Sequence, residues 1–316
     1  MYVRKEAVLS SQIEGTQASI NDVLEVEAKI FRPDRPDDVR EVLNYVTAMN
    51  YGLERLKALP LSTRLIREIH ERLLAKVRGA RSQPGEIRKV QNWIGPDGGT
   101  IKNASFVPPP PNLVVQALSD LERFLHDDTE IPVLVKIGLV HAQFETIHPF
   151  LDGNGRVGRL LITFLLCQRK ILQSPVLYIS HFFKKHRDQY YDYLQTIRDK
   201  GDWEAWLKFF LTGVAEVSSE ATETARKIVN LRETHRRLIS EQFGRVAGNG
   251  IVVLESLFKR PIVQVNDVAA LLRISFPSAN NLLGRFVKHG LVKEMTGRAR
   301  NRRFRYSPYI DLFSSI

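Results

Sequence analysis

Residues 148–159 read HPFLDGNGRVGR, a short loop that runs into a helix. The preceding residues 133–147 carry apolar side chains at helical spacing, so a helix should lead up to His148. Pro149 disfavours the helical conformation for the residue before it, which should present the imidazole at that helix end. A flexible glycine turn at 153–155 then opens a second helix. This stretch is decisive for the fold, because it joins the two predicted helices and carries a histidine in the loop between them.

The same stretch has the features of an anion site. A glycine turn that feeds a helix N-terminus aims backbone N–H groups and the positive end of the helix dipole at one point. Arg156 and Arg159 lie three residues apart, hence on one helix face, where both can reach the same anion. Asp152 beside a polyphosphate would be repulsive unless it held a hard cation, so it indicates Mg²⁺. These residues predict nucleotide chemistry with a histidine base.

The stretch resembles the Fic family motif HPF-x-D/E-GNGR-x-x-R and matches it at every specified position. An ordinary helix connector is the alternative, but it does not account for so complete a match. The resemblance extends more loosely over most of residues 2–211. It implies a protein adenylyltransferase, which transfers AMP from ATP to a Ser, Thr or Tyr hydroxyl of a target protein and releases pyrophosphate. The target can be the chain itself, and other nucleotide or phosphocholine donors stay open.

The resemblance also implies roles for individual residues. His148 would be the general base, since an imidazole is half-titrated near neutral pH, and Asp152 would hold Mg²⁺ between the phosphates of ATP. Relatives often have an asparagine near the position of His186, so base contacts there are open, and a core role for Tyr191 is an alternative. The residues expected to bind ATP are Gly153, Asn154, Gly155, Arg156, Val157, Gly158, Arg159, Lys185, His186 and Tyr191.

Residues 10–15, SSQIEG, match the Fic inhibitory signature S/T-x-x-x-E-G/N. Ser10 and Glu14 lie about one turn apart on one helix face, and Gly15 lets the chain turn after the acid. The resemblance implies that Glu14 inhibits the enzyme by pairing with Arg159. A solvated glutamate at a helix end is the alternative reading. Relatives commonly have more chain before this helix. The resemblance therefore leaves open that the sequence is truncated at its N-terminus.

Residues 90–94 and 100–101 are short β-rich runs around a Gly/Pro/Asp turn, which predicts a hairpin. The hairpin resembles the Fic flap, whose exposed strand edge aligns the target segment by β-augmentation. The flap residues expected to meet the target are Asn92, Trp93 and Ile94. A purely structural hairpin is the alternative.

The formal charge of +11 is concentrated near the C-terminus. Residues 245–316 contain twelve lysines and arginines but four acids, which indicates a polyanion partner. Helices at 251–258, 268–272 (capped by Asn266) and 275–289, followed by strands at 291–295 and 304–306, resemble a winged helix-turn-helix. The candidate DNA contacts are Arg285, Arg298, Arg300, Arg302 and Arg303. Protein docking or homodimerisation is the alternative use.

The predicted fold is therefore mainly α: a helical Fic domain with a β-hairpin flap, followed by a winged helix-turn-helix domain. The expected domains are N-terminal helices at 1–60, a catalytic core at 61–213, a linker helix at 214–244 and the winged helix at 245–316. The single Cys167 excludes an intrachain disulfide and fits a cytoplasmic location. No signal peptide, membrane-spanning run or zinc-ligand spacing is visible.

A rival hypothesis belongs to another functional class. In it the chain is a DNA-binding regulator, and its Fic domain is a nucleotide sensor locked by Glu14. This rival predicts DNA binding, and no turnover of ATP even when Glu14 is removed.

Overall fold

The structure is a computed structural model that describes residues 1–29, 36–77, 83–95, 99–127, 130–297 and 301–314. The prediction of a mainly α fold is confirmed. The elements in chain order are α1 (Tyr2–Ile13), α2 (Ile20–Glu27), α3 (Pro36–Arg55), α4 (Thr63–Leu73), α5 (Pro111–His126), α6 (Val133–Ile147), α7 (Asn154–Gln168), α8 (Ser180–Lys185), α9 (Arg187–Lys200), α10 (Trp203–Gln242), α11 (Ala247–Lys259), β1 (Ile262–Gln264), α12 (Val265–Leu272), α13 (Phe276–Lys288), β2 (Lys293–Glu294), β3 (Arg303–Arg305) and α14 (Ser307–Ser314).

These elements form two compact units. The helical unit comprises Tyr2–Ser19 and Asp34–Ser219, and the C-terminal unit comprises Met1, Ile20–Pro33 and Glu220–Ile316. Helix α10 supplies residues to both units. The domain boundaries predicted from the sequence stay predictions.

Helix α7 lies at the centre of the helical unit. All of its first thirteen residues except Gly155 are buried, so burial extends to every side of the helix. A helix that is buried all round must be enclosed by other helices. Helices α3, α4 and α6 pack against α7, and α1 packs against α3 and α8. Helix α4 begins after its N-cap Ser62, whose side chain accepts the Leu65 N–H.

The flap differs in detail from the predicted hairpin. The name flap is kept here for residues 90–109. Ile94 forms a single antiparallel bridge with Phe106, so the strand predicted at residues 100–101 is wrong. Residues Ile101–Asn103 instead form a 3-10 turn, because the Asn103 side-chain oxygen accepts the Thr100 N–H at 2.6 Å and holds the chain in a turn.

The C-terminal unit contains a small antiparallel sheet in the order β1-β3-β2. Helix α13 begins after its N-cap Ser275, and α12 is capped by Gln264 rather than by the predicted Asn266. Strand β1 and helix α14 were not predicted. Helix α2 also belongs to this unit, where Leu24 packs against Ile262 and Ile310. The winged helix-turn-helix assignment stays a prediction.

A helix that crosses a bilayer needs about 20 consecutive, mostly apolar residues. Within the part of the chain that the structure describes, none of the helices combines this length with the required apolar character.

Close packing of α3 on α7 generates a stability prediction. A Cβ at Gly52 of α3 would collide with the ring of Phe164, which is fully buried on α7. Gly52→Ala should therefore lower the free energy of unfolding by about 1–3 kcal/mol, despite the better helix propensity of alanine. Chemical denaturation measures this change.

Phe164→Leu provides the control, because the smaller side chain makes room for the added methyl group. Gly52→Ala should destabilise the Phe164→Leu protein less than it destabilises the wild type. An equal effect in both backgrounds would show that the ring contact does not require glycine at this position.

Candidate active site

The loop between α6 and α7 is shaped by the side chain of Asn154, the first residue of α7. Its amide oxygen accepts the Phe150 N–H at 2.9 Å, and its amide nitrogen donates to the Phe150 carbonyl at 2.8 Å. Asn92 donates to the same carbonyl at 2.9 Å. Both ends of the Asn154 amide are thus used in the loop. Any contact of Asn154 with ATP would come from its backbone N–H.

His148 is the C-cap residue of α6 and adopts the left-handed conformation, with φ 49° and ψ 61°. Its N–H still donates to the Phe144 carbonyl at 3.0 Å. The left-handed conformation costs a non-glycine residue about 1–2 kcal/mol, so other contacts must hold it. One of them comes from buried Arg88, whose Nε donates to the His148 carbonyl at 2.9 Å.

The His148 imidazole is neutral at physiological pH. Burial lowers its pKa to about 4, the charge of Arg198 acts in the same direction, and the carboxylate of Glu14 opposes it. Nδ1 is buried at the end of α6, which leaves Nε2 as the atom that a substrate hydroxyl can meet. The ring is therefore ready to accept a proton across the neutral range, and is not half-titrated there.

Arg159 of α7 joins this helix to α1 and to Glu14, the residue that follows α1. Its Nη2 lies 2.5 Å from Glu14 Oε1, its Nε donates to Ser10 Oγ at 2.8 Å, and Nη2 also donates to the Ser10 carbonyl at 3.0 Å. The Arg159 side chain is 1% exposed and that of Glu14 is 33% exposed. Burial raises the pKa of Glu14, but Arg159 outweighs it and holds this pKa below its ordinary value.

The Glu14 carboxylate also lies over the first turn of α7. A Cβ on Gly155 would collide with Glu14 Oε1, so the carboxylate occupies the space directly above that backbone. Gly153 precedes the helix in the left-handed conformation, with φ 78°. N–H groups in the first turn of a helix have no partner within the helix and attract anions. Glu14 thus sits where the sequence predicted an anion.

Arg156 contacts a different set of acids. Its Nη1 lies 3.1 Å from Glu41 Oε2, where both side chains are almost fully buried, and its Nη2 lies 3.3 Å from Asp152 Oδ1. Asp152 Oδ1 also accepts the Gly153 N–H at 2.6 Å. The two arginines predicted to reach one anion therefore have separate partners here. Arg156 holds Asp152, whereas Arg159 holds Glu14.

Asp152 is the candidate ligand for Mg²⁺. Its side chain is 39% exposed, so solvent and a bound ion can reach it. Among the described residues, no group of three or more His, Cys, Asp or Glu side chains forms a metal cluster. Mg²⁺ is often held by one or two carboxylates together with phosphate oxygens. A single accessible carboxylate beside an anion site fits a cation that arrives with a nucleotide.

Behind the Glu14–Arg159 pair lies a buried acid on α6. The Glu145 carboxylate packs against the Gly158 backbone, where an added Cβ would collide with it. Burial raises the pKa of Glu145 to about 7, although Arg159 opposes this rise. His141, one turn earlier, lies 3.0 Å from the Gly158 carbonyl and 2.9 Å from the Tyr190 hydroxyl. His141 therefore links α6 to α7 and α9.

His70 of α4 is a site residue that the sequence analysis missed. Its ring stacks on that of Phe150 with centroids 3.7 Å apart, its Nδ1 accepts the Gly85 N–H at 2.8 Å, and its Nε2 lies 2.9 Å from the Asp152 carbonyl. Because Nδ1 accepts, Nε2 must carry the proton and donate to that carbonyl. Burial lowers the pKa of His70 to about 4, in agreement with this neutral tautomer. Spacing from the motif gives no signal for such a residue.

One of the three predicted flap residues, Asn92, contacts the motif loop. Asn92 bonds to the Phe150 carbonyl, Trp93 is 43% exposed, and Ile94 pairs with Phe106. Trp93 is the flap side chain among these three that is most open to a partner.

The predicted adenine-side residues separate into two groups. Lys185 Nζ lies 2.5 Å from Glu216 Oε1 on α10, and the His186 ring packs on Phe182 with centroids 4.6 Å apart. Tyr191 packs on Tyr190 with ring centroids 5.2 Å apart, and burial and the Glu14 carboxylate raise the pKa of Tyr191 to about 12. Lys185 instead contacts α10, and His186 contacts α8.

The described arginines that were predicted to contact DNA have partners within the C-terminal unit. Arg285 donates to the Phe243 carbonyl at 2.8 Å, and Arg302 donates to the side-chain oxygen of Asn280. Arg303 donates to the carbonyls of Ala28 and Lys29 at the end of α2. Arg298 and Arg300 lie outside the described residues. DNA binding therefore stays a prediction, and these hydrogen bonds leave the three guanidinium groups fewer donors for phosphate.

Two segments of the chain match models of a known protein family. A model of the Fic/DOC family matches residues 60–166, and a model of the Fic/DOC family N-terminal region matches residues 1–54. Together they cover about half of the chain, including Glu14 and the whole of 148–159. A crystal structure of a Fic family protein from Desulfovibrio desulfuricans has a similar fold, with a TM-score of 0.63 over 96% of this chain and 86% of that chain. Its identity of 22% shows the fold alone.

Two relatives are similar in sequence over about half of the chain. Protein adenylyltransferase Fic of Drosophila yakuba is 30% identical over 177 residues, which are 55% of this chain and 32% of that protein. A probable protein adenylyltransferase of Aquifex aeolicus is 33% identical over 174 residues, which are 54% of this chain and 49% of that protein. The chain thus spans between a third and a half of the length of these relatives.

The two hydrogen bonds of the Asn154 side chain generate a prediction. Asn154→Ala leaves the buried Phe150 N–H without an acceptor, which should lower the free energy of unfolding by about 1–3 kcal/mol. Asn92→Ala is the matched control, because Asn154 still serves the Phe150 carbonyl after this change, and it should destabilise less. Chemical denaturation of both variants tests the ranking. A larger loss in Asn92→Ala would contradict the role given to Asn154.

Proposed function

Because the chain belongs to the Fic/DOC family, we propose that its helical unit is a protein adenylyltransferase. It transfers AMP from ATP to a Ser, Thr or Tyr hydroxyl of a protein and releases pyrophosphate. The observation that carries the proposal is the position of the neutral His148 imidazole. It lies at one end of a loop, and the other end of this loop is the N-terminus of α7, where an anion can bind. A base and an anion site on one short loop can serve a nucleophile and a phosphate together. The adenylyltransferase names of the two relatives support the choice of AMP as the transferred group.

His148 accepts the proton of the target hydroxyl on Nε2 as the hydroxyl oxygen attacks the α-phosphorus of ATP. The bond from that phosphorus to the bridging oxygen of pyrophosphate breaks, and pyrophosphate leaves with the electron pair. A pKa of about 4 keeps the ring free of a proton before the reaction at neutral pH. The positioned base therefore contributes through proton removal in the transition state.

The first turn of α7 stabilises the phosphates of the nucleotide. Backbone N–H groups of Asn154, Gly155 and Arg156 point at the position where charge develops on the transferred group. Asp152, oriented by Arg156 and by the Gly153 N–H, is the residue that would hold Mg²⁺. Bound Mg²⁺ would neutralise phosphate charge beside this turn.

Glu14 inhibits the enzyme by standing in for a phosphate. Its carboxylate is paired with Arg159 and lies above Gly155, within the anion site. A nucleotide whose terminal phosphates cannot reach Arg159 binds in a pose in which the α-phosphorus is out of line with the attacking hydroxyl. A misplacement of about 1 Å can lower a rate on the order of a hundredfold.

The flap holds the target segment next to His148. Asn92 ties the flap to the motif loop through the Phe150 carbonyl, and Trp93 is exposed beside it. An extended target segment can pair with the flap backbone, as in other cases of β-augmentation. The chain's own hydroxyls are candidate targets too. The cytoplasmic location, the homodimer and contacts with DNA stay predictions.

The first test of this function is the release of the inhibitory pair. Glu14→Gly removes the carboxylate from Arg159, so label from α-labelled ATP should enter protein on the order of a hundredfold faster than with the wild type. Incubation of the purified chain with labelled ATP and Mg²⁺ measures self-labelling, and added lysate proteins provide targets.

Arg159→Ala added to Glu14→Gly is the control, because the same arginine serves the productive phosphate pose. The double variant should lose the gain. A Glu14→Gly protein no faster than the wild type at saturating ATP would refute inhibition by Glu14. No transfer by any variant, together with DNA binding, would favour the nucleotide-sensing regulator instead.

A second test separates chemistry from nucleotide binding. His148→Ala in the Glu14→Gly background should abolish transfer, because the hydroxyl loses its proton acceptor, whereas ATP affinity should change by less than about threefold. Calorimetry gives the affinity, and label incorporation gives the rate. His148 would leave the mechanism if the alanine variant labelled protein as fast as its parent.

A further inference from the structure

Arg88 precedes the flap and is 1% exposed, which makes it one of the most deeply buried charged side chains of the helical unit. The sequence around it, GEIRKV, has no feature that marks a functional residue. A buried charge is unfavourable unless hydrogen bonds or opposite charges compensate it. The partners of its guanidinium therefore indicate what it does.

The guanidinium of Arg88 donates to backbone carbonyls at two separate places. Towards α6, Nε donates to the His148 carbonyl at 2.9 Å, and Nη2 contacts the Ile147 carbonyl at 3.4 Å. Towards the flap, Nη2 donates to the Pro109 carbonyl at 2.5 Å, and Nη1 contacts the Val90 carbonyl at 3.4 Å. Val90 and Pro109 are the two ends of the flap.

The backbone of Arg88 adds a third connection. Its N–H donates to the Pro149 carbonyl at 2.9 Å. Arg88 therefore binds the carbonyls of both His148 and Pro149. The last carbonyls of a helix have no partner within the helix and carry partial negative charge, so a guanidinium at this end of α6 is favourable.

We propose that Arg88 is a positioning residue for the His148 base, and that its guanidinium ties this base to both ends of the flap. The inference rests on the adenylyltransferase function proposed above. It explains how a strained left-handed histidine keeps one orientation. It also explains how a target segment paired with the flap is brought to a fixed distance from Nε2, because flap and base share one anchor.

Arg88 also belongs to the set of charges around the imidazole. Arg198 and Arg88 lower the pKa of His148, whereas the Glu14 carboxylate and the Glu145 carbonyl raise it, all in addition to burial. Loss of the Arg88 charge should therefore move this pKa upward. Loss of the hydrogen bonds alone should leave the pKa in place and change the geometry.

The test uses the full chain with Glu14→Gly, so that transfer is fast enough to measure. Arg88→Lys keeps the charge but loses the fork of donors, and Arg88→Met loses both; Arg88→Gln is a neutral third variant that decides the outcome if the methionine variant does not fold. Arg67→Met is the matched control, because Arg67 also donates to a backbone carbonyl, that of Gly85 at 2.7 Å, and is 43% exposed.

The positioning role predicts a separation of kcat from nucleotide affinity. In Arg88→Lys and Arg88→Met, kcat should fall on the order of a hundredfold, as expected for a base displaced by about 1 Å, while the Kd for ATP stays within about threefold. Arg67→Met should keep the kcat of the parent. A kcat within threefold of the parent in folded Arg88 variants would overturn the proposal, and so would a loss of ATP affinity equal to the loss of kcat.

A titration of the His148 ring by NMR tests the same proposal without turnover. The ring signal, assigned by its absence in His148→Ala, should shift in every Arg88 variant, and its pKa should rise in Arg88→Met but not in Arg88→Lys. If the parent transfers no AMP, the proposed function fails while this titration still decides the role of Arg88. A ring signal in the Arg88 variants identical to that in Arg67→Met would overturn it.

Discussion

A buried guanidinium must be compensated by hydrogen bonds or by an anion, and Arg159 imposes this requirement on the helical unit. Its side chain is 1% exposed and lies in the second turn of α7, the helix that the unit is built around. In the structure the requirement is met by Glu14, so α1 must end at this place. A nucleotide phosphate is the other anion that meets it. The same constraint therefore explains the docking of α1 and, under the proposed function, the inhibition.

The active-site loop is held almost entirely through its backbone. The Asn154 amide closes the turn on Phe150, His70 donates to the Asp152 carbonyl, and Arg88 holds the His148 carbonyl. Each of these side chains forms its hydrogen bonds with the protein backbone. The N–H groups at the start of α7 and the His148 imidazole are then left to interact with a substrate. Such fixed dipoles need no reorganisation during a reaction, and that is the main way in which a protein site stabilises charge.

The sequence predicted the parts of this site that depend on local chemistry. Pro149 forced His148 out of the helix, the glycine turn opened α7, and Glu14 is paired with Arg159, as expected. Contacts between segments far apart in the chain were not predictable, because residue type alone does not reveal them. His70 and Arg88 look like ordinary polar residues until the fold brings them to the loop. The separate partners of Arg156 and Arg159 were missed for the same reason, since Glu41 lies 115 positions from Arg156.

The strength of the Glu14–Arg159 pair suits a lock that can open. A hundredfold reduction of the productive pose needs a preference of roughly 2.7 kcal/mol for the inhibited arrangement. Exposed ion pairs contribute about 0–1 kcal/mol, and breaking a fully buried pair costs about 3–5 kcal/mol. This pair lies between the two cases, because Arg159 is buried whereas a third of the Glu14 side chain is exposed. Under the proposed function, solvent weakens the pair enough for a nucleotide or a partner to displace Glu14, while the buried arginine keeps the pair strong enough to inhibit.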